Sequence, residues 1–249
     1  MAVHTLFSDK SYLYEVARPL YPEALFEYLA TVVPSNELVW DCACGNGQAA
    51  DSLVRYFERV KATDVSKEQI SNAKHNSRID YSISSSESTD FADKSFDLVC
   101  VAQALHWFDF NKYWLEVKRV LKPNGVFAAW GYTWPSVDPA VDRVFKESIL
   151  KVIEPYWAPQ NRLLWEHYEN IDIPFSRLPA PKIEMQASLT LDEFISFICT
   201  FSATRRCIDD IGDSFIKHAH LEFSKVWGQE ADKRIVDLEF VLFVGKSET

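Results

Sequence analysis

Residues 38–50, LVWDCACGNGQAA, leave this chain few folds to choose from. An apolar run, Leu38-Val39-Trp40, ends in Asp41. A turn of small residues follows, Cys42 to Gly47, and Gln48-Ala49-Ala50 with Leu53-Val54 then begin a helical pattern. A buried strand, a tight turn and a helix in that order are the start of an α/β architecture with a parallel sheet. The turn presents backbone N–H groups and a helix N-terminus to whatever lies at the strand's carboxyl end. Gly45 and Gly47 let a ligand approach the backbone closely.

Two ligand classes compete for that turn. Gly45-x-Gly47-x-x-Ala50 fits the loose dinucleotide pattern GxGxxG/A. Asp41 speaks against a pyrophosphate, because two anions repel. A ligand carrying an ammonium and a sulfonium can use a carboxylate there. The run D-x-A-x-G-x-G, Asp41 to Gly47, resembles motif I of the class I S-adenosylmethionine-dependent methyltransferases, D/E-x-G-x-G-x-G. Ala43 stands where that family has its first glycine, and an alanine implies a negative φ at that position. A βα turn that holds no ligand is the plain alternative.

At 249 residues the chain suits one large domain or a domain with a substantial cap. A hydrophobic share of 47% and a charged share of 25% are those of a soluble globular protein. The aromatic share, 14% with eight Trp, points to a large apolar cavity, an aromatic lid, or simply a bulky core. A net charge of −10 opposes both the phosphate attraction of nucleic-acid binders and an anionic membrane surface, so neither partner is expected. The five Cys are odd in number and include no CxxC pair; they read as reduced thiols of a cytoplasmic protein, with no zinc or other metal site. No charged-then-apolar leader opens the chain, and no apolar run reaches membrane-spanning length.

Before the first strand, Tyr14-x-x-x-Arg18-Pro19-x-Tyr21-Pro22 precedes a helix over 23–33 whose Leu25, Phe26, Leu29 and Val32 share one face. The segment reads as an arm packed on the core. It also resembles the Y-x-x-x-R-P-x-Y-P arm of the subgroup that includes the trans-aconitate methyltransferases, in which the arm closes over the methionine end of the cofactor; that assigns Tyr14 and Arg18 to cofactor binding. The second strand, 59–63, ends at Asp64, an acid suited to accept both ribose hydroxyls of a nucleoside. Ser66 then caps a helix, with Gln69 completing a capping box.

A third strand is expected over 79–84. The loop after it, Ser84 to Phe91, resembles the family's G-x-A-E-x-L-P-F pattern, with Ser86 and Glu87 at the A-E pair that meets the adenine edge and Ser85 where an Asp often stands. Phe96-Asp97-Leu98-Val99 resembles F-D-x-V and opens an apolar strand to Ala102, as a central parallel strand requires. The strand ends in Gln103-Ala104-Leu105-His106-Trp107-Phe108-Asp109, which is where open α/β sheets bind and react. It resembles the A-L-H-W-F-D signature of small-molecule methyltransferases. His106 and Trp107 are therefore the catalytic candidates, with a packing role for His106 as the alternative. The resemblance adds Gln48, Val65 and Gln103 to the cofactor residues Asp41, Ala43, Gly45, Gly47, Asp64, Ser86 and Glu87. A helix over 111–121 and a turn, Leu121 to Gly125, resembling L-K-P-G-G lead to a fifth strand, 126–130.

From 131 to about 188 the pattern changes to interleaved Trp, Tyr and Pro, the first part of a stretch over 131–230 set apart from the core. This reads as an insert that caps the pocket and selects the substrate, with Trp134 and Arg205 as substrate residues. Helices are expected over 140–154 and near 163–168, with an edge strand near 182–189. A helix opens at Thr190 with Glu193 completing a capping box. Thr200 to Arg205 resembles the subgroup's T-W-S-A-Y segment, with Phe201 and Thr204 replacing Trp and Tyr. One amphipathic helix over 209–227 and a last strand within 235–246 complete the chain.

Taken together the resemblance implies a Rossmann-like α/β fold: a seven-stranded, mostly parallel sheet with helices on both faces and an inserted lid. One domain spans 1–249, with an arm and helix over 1–34 and a cofactor core over 35–130. The implied cofactor is S-adenosylmethionine, leaving as S-adenosylhomocysteine, and the implied acceptor is a small molecule, carboxylic acids included. For a carboxylate acceptor, Arg162, Arg177, Arg205 and Arg206 are candidate partners, and His106 suits either a carboxylate or a group that must lose a proton. The alternatives are a non-catalytic S-adenosylmethionine-binding regulator and an NAD-dependent oxidoreductase. A monomer or homodimer is expected.

Overall fold

The computed structural model describes residues 18–247; Tyr14 lies outside them. Strands and helices alternate as the hydrophobic pattern requires. Helix α1 (Glu23–Val32) leads into β1 (Leu38–Cys42), α2 (Gln48–Leu53), β2 (Arg59–Asp64), α3 (Lys67–Ser71), β3 (Ile79–Ile83), β4 (Phe96–Ala102), α4 (Phe110–Val120) and β5 (Leu121–Ser136). Then come α5 (Pro139–Val144), a π-helical stretch (Phe145–Leu150), α6 (Lys151–Ile153) and α7 (Asn161–Trp165). The chain ends with β6 (Ser176–Arg177), β7 (Met185–Leu189), α8 (Leu191–Cys199), α9 (Ser202–Ile211), α10 (Ser214–Trp227) and β8 (Arg234–Lys246).

The chain divides into two compact units. The larger comprises Tyr21–Thr133, Arg162–Ile183 and the chain from Phe240 onward; the smaller holds Trp134–Asn161 and Glu184–Glu239 with the described residues before Tyr21. The strands follow the order β3-β2-β1-β4-β5-β8-β6. β1, β2, β3, β4 and β5 pair in parallel, and β6 pairs antiparallel with the end of β8. Sequence order reverses direction between β1 and β4, which makes their carboxyl ends the crevice of this sheet.

Successive residues of a strand face opposite sides, and here both sides are covered. Val39, Leu98 and Trp130 bury against Leu25, Phe26 and Leu29 of α1 and Ala49, Ala50 and Leu53 of α2. Trp40, Val99, Val101 and Phe127 bury against Tyr113 and Val117 of α4. The F-D-x-V acid has a structural job at the opposite end from the crevice. Asp97, fully buried, accepts from the Leu38 amide at 3.0 Å, from Ser35 Oγ at 2.9 Å and from Lys122 Nζ at 2.9 Å. Lys122 also pairs with Glu37 at 2.7 Å. Two family motifs, F-D-x-V and the Lys-Pro turn, thus form one staple holding the starts of β1, β4 and β5 in register.

In the smaller unit, β7 pairs antiparallel with the first half of β8, from Met185↔Leu238 to Leu189↔Arg234. The Thr190–Glu193 capping box forms, with Glu193 accepting from the Thr190 amide at 2.8 Å and Thr190 Oγ1 accepting from the Glu193 amide at 3.3 Å.

Several local expectations change. The two-residue β6 adds to the seven strands expected. The helix expected over 209–227 is two helices, because Gly212 turns to φ +82° and ends α9; a glycine makes that turn at no steric cost. The Ser66 cap is half a box: Ser66 Oγ accepts from the Gln69 amide at 3.3 Å, while the Ser66 amide goes to Asp64 Oδ1 at 2.8 Å instead of to Gln69. The helix near 163–168 stops at Trp165, and His167 and Tyr168 take positive φ of +54° and +61° as the chain turns back. No helix among the described residues is long and apolar enough to cross a membrane.

Candidate functional site

The turn after β1 has positive φ at alternate residues: Ala43 +51°, Gly45 +57° and Gly47 +87°. These are the three positions at which motif I places glycine. The negative φ expected at Ala43 is therefore wrong. The surrounding hydrogen bonds overrule the residue's preference: the Cys44 amide donates to the Thr63 carbonyl at 2.9 Å and the Gly47 amide to the Cys44 carbonyl at 2.9 Å. A left-handed alanine costs on the order of 1–2 kcal/mol, which this turn tolerates. Gly47 is constrained twice. A Cβ there would lie 2.8 Å from two ring carbons of Tyr81 and closer still to its hydroxyl.

Asp64, at the end of β2, is already engaged. Its Oδ2 accepts from the Gly45 amide at 2.9 Å and its Oδ1 from the Ser66 amide at 2.8 Å. Each carboxylate oxygen has two lone pairs, so one acceptor site per oxygen remains for a pair of hydroxyls. The acid expected to bind ribose thus also holds the glycine turn in shape.

Asp41 is fully buried at the end of β1. Neither carboxylate oxygen has a hydrogen-bond partner among the described residues. Burial pushes its pKa up to about 8; the Ala50 amide opposes this without closing an ordinary bond, and the negative charge of Asp64 adds to it. A buried carboxyl with both oxygens unmatched is costly by itself and is what a cationic ligand would relieve.

The loop after β3 is held by a clamp that the sequence did not reveal. Glu116 on α4, buried, accepts from the Thr89 amide at 2.8 Å and from Thr89 Oγ1 at 2.5 Å. Arg119, one turn on, bonds Glu116 at 2.7 and 2.9 Å, the Phe91 carbonyl at 2.6 Å and Asp93 at 2.7 Å. These bonds hold Glu116 below the usual carboxylate range against the opposing effect of burial, which is the largest single influence on it. Glu87 makes a second tie: its carboxylate accepts from Ser85 Oγ and, at 3.3 Å, from the Asp109 amide. Ser86 between them is buried. Beside this loop, at the strand ends, Val65 is 73% and Ile83 56% exposed, two large apolar side chains facing outward where an adenine would need flanking surfaces.

At the end of β4, Gln103 takes φ +57°, its amide donating to the Trp130 carbonyl at 2.8 Å and its Nε2 to the Tyr132 carbonyl at 3.2 Å. Strained backbone of this kind gathers at functional positions. Gly131 lies close beneath this turn, so that a Cβ there would have to displace the side-chain ends of Gln103 and Leu164, each 2.8 Å away. His106 follows in a short 3-10 turn, Leu105–Trp107. Burial lowers its pKa to about 4, so its imidazole is neutral at pH 7. Trp107, its ring 4.9 Å away, is 46% exposed.

Of the residues singled out from the sequence, Asp41, Ala43, Gly45, Gly47, Gln48, Asp64, Val65, Ser86, Glu87, Gln103, His106 and Trp107 all lie in the larger unit, in or just beyond the carboxyl ends of β1 to β4. Arg18, Trp134 and Arg205 belong to the smaller unit. There Trp134 packs edge-on against Trp157 at 5.7 Å, and Arg205 lies exposed on α9. Tyr81, Ile83, Thr89, Glu116 and Arg119 were not anticipated. Glu116 and Arg119 showed an acid–base pair three apart on a helix, but Thr89 lies 27 residues from Glu116 and nothing local joins them. Among the described residues no cluster of His, Cys, Asp or Glu is arranged to hold a metal ion.

Comparison with known proteins adds to this geometry. A methyltransferase domain family matches residues 40–129. A solved structure from Anaeromyxobacter dehalogenans, assigned to the type II methyltransferases, is 33% identical, covers 92% of this chain and 97% of its own, and superposes with a TM-score of 0.85. A Dictyostelium discoideum protein assigned as a methyltransferase is 26% identical over 96% of this chain and 95% of its own. A Saccharomyces cerevisiae protein assigned as an S-adenosylmethionine-dependent methyltransferase is 28% identical over 49% of this chain and 45% of its own.

Proposed function

Because the chain belongs to the class I S-adenosylmethionine-dependent methyltransferases, we propose that it methylates a small molecule, and that the acceptor atom is a carboxylate oxygen. The observation that carries the acceptor class is His106. A general base works best with a pKa near the working pH, and His106 sits well below, at about 4. That makes it a poor group for stripping a proton from an alcohol or ammonium. A carboxylate arrives already ionised and needs only donors to hold it, which a neutral imidazole can be through its one N–H. The resemblance of the His106–Trp107 segment and of the 14–22 arm to a carboxylate-methylating subgroup supports the same class.

S-Adenosylmethionine, when bound, supplies an electrophilic methyl group on a positively charged sulfur. The residues present suit it. Gly45 and Gly47 leave the backbone open, Asp64 keeps two acceptor sites for the ribose hydroxyls, Val65 and Ile83 offer apolar surface for the base, and neither oxygen of Asp41 has a hydrogen-bond partner among the described residues. With that donor bound, the acceptor oxygen would form its bond to the methyl group as the sulfur–methyl bond breaks, the electron pair staying on sulfur. The leaving thioether is neutral, so no acid is required. What the chain supplies is alignment and exclusion of water, worth on the order of 7–11 kcal/mol where positioning is good. Trp134 and Arg205 remain candidates for acceptor recognition from their place in the lid-like sequence alone, and association as a monomer or homodimer remains part of the same proposal.

The test is calorimetry with S-adenosylmethionine, S-adenosylhomocysteine and NAD, followed by radiolabelled methyl transfer into an extract of acidic metabolites. Binding of the first two and base-labile label in the product are expected, as methyl esters hydrolyse. Base-stable label would overturn the carboxylate reading, and binding of NAD alone would overturn the methyltransferase reading.

A further inference from the structure

We propose that Asp41 distinguishes the sulfonium cofactor from its thioether product, giving up its proton when the first binds and keeping it when the second does. The inference rests on the methyltransferase reading above and concerns what that site does with charge. The carboxyl is fully buried, both its oxygens lack hydrogen-bond partners among the described residues, and it lies at the head of the glycine turn in the crevice of the sheet.

Among the described residues, the groups that act on it are neutral or negative. β2 brings Asp64, the turn Cys44, β1 itself Cys42, β4 Cys100 and β3 Tyr81, and each of the last four is pushed up by burial first, with the charge of Asp41 contributing. On α2, Asp51 is half-exposed, and on α1, Glu23 and Glu27 are exposed. On the sheet face that Asp41 shares, β5 presents the indole of Trp130. Without ligand, the proton is what keeps Asp41 neutral, and burial holds it there up to about pH 8.

The two ligands differ by one methyl group and one positive charge. Both carry an amino-acid ammonium, but its own carboxylate sits two bonds away and offsets it. The sulfonium has no such internal partner. A lone cation entering a site of low polarizability favours the ionised form of a nearby acid, so the cofactor expels the proton. When the methyl group leaves, the positive charge leaves the sulfur, and Asp41 is again a buried anion without a counterion until it takes a proton back. The protonated carboxyl favours neither ligand by charge, while the ionised one favours the cofactor. Asp41 would therefore lower product inhibition most strongly on the alkaline side of neutrality.

Titration calorimetry of the whole protein, run at pH 6 and 7 in two buffers of different ionisation enthalpy, reads the proton directly. Both values lie below the α-amino range of about 7.7–8.0, so the ligand's own ammonium contributes little, and that little is common to both ligands. Cofactor binding should release about 0.9 proton at pH 7, as a group of pKa near 8 is about nine-tenths protonated there, and should tighten about tenfold from pH 6 to 7. Product binding should release under about 0.2 proton and tighten less than about twofold. Asp41→Asn should remove the proton release and the pH dependence and shrink the preference for cofactor over product. Equal proton release with both ligands, or none with either, would overturn the proposal while leaving the methyltransferase reading intact. Failure of both ligands to bind the wild-type protein would overturn that reading instead.

Discussion

Substituting Gly47 by alanine isolates two physical terms that the structure places on one carbon atom. The first is backbone strain: at φ +87° an alanine sits in the left-handed region, at a cost of about 1–2 kcal/mol. The second is overpacking. The new methyl would lie 2.8 Å from Tyr81 Cε1 and Cζ, forcing the ring out of its place against the α1–α2 cluster, at about 1–3 kcal/mol more. Gly47→Ala should therefore cost about 2–5 kcal/mol, read by urea unfolding of the cofactor-free protein. Gly45→Ala is the internal control. Its φ is +57°, but the nearest atom to a Cβ is Gln69 Oε1 at 3.7 Å, an ordinary contact, so it should show the strain term alone. Truncating the ring should then rescue Gly47→Ala and not Gly45→Ala: the cycle of Gly47→Ala with Tyr81→Val should return a favourable coupling of about 1–3 kcal/mol. If the two glycine variants cost the same and the cycle is additive, Tyr81 does not press on the turn and the account of Gly47 is wrong.

Ala43→Gly should stabilise the protein by about 1 kcal/mol, because it removes the left-handed penalty at φ +51°; a lower urea midpoint would mean the Ala43 methyl packs usefully. Glu116→Gln should raise the KM for cofactor several-fold at nearly constant kcat, since it loosens the loop carrying Ser86 without touching the His106 segment; an unchanged KM with an intact fold would show that the clamp does not position that loop. Stability should also depend on pH in two windows. Asp41 has its folded pKa raised to about 8, so the folded state holds a proton that the unfolded state has lost, and stability falls as pH rises from about 4 to 8, by up to about 1.4 kcal/mol per pH unit. His106, lowered to about 4, acts oppositely: its contribution is lost as pH falls from 6.5 to 4. The two slopes oppose each other below pH 6.5, and Asp41 dominates above it. Asp41→Asn should thus gain more over wild type at pH 8 than at pH 5 in urea unfolding, and an equal gain at both would show that Asp41 is not held protonated.

The chain itself specified whatever depends on neighbours within a turn or two. The apolar runs at 38–40 and 98–102 fixed buried parallel strands, the small-residue turn at 42–47 fixed the crossing into α2, and Asp41 and Asp64 at the strand ends marked where a nucleoside with a positive charge could sit. Thr190 and Glu193 capped α8 because both halves of that box lie three positions apart in the chain. Tertiary structure decided the rest. Ala43 takes a glycine's conformation because the Thr63 carbonyl on another strand captures the next amide. Ser66 loses half its box because Asp64 is the stronger acceptor for its amide. Gly47 must be bare because Tyr81 arrives from β3, and the loop around Ser86 is fixed by Glu116 and Arg119 from α4. The proton on Asp41 follows the same rule: a carboxyl's type can be read from its letter, but its charge is set by how much water and how many opposite charges the folded chain leaves beside it.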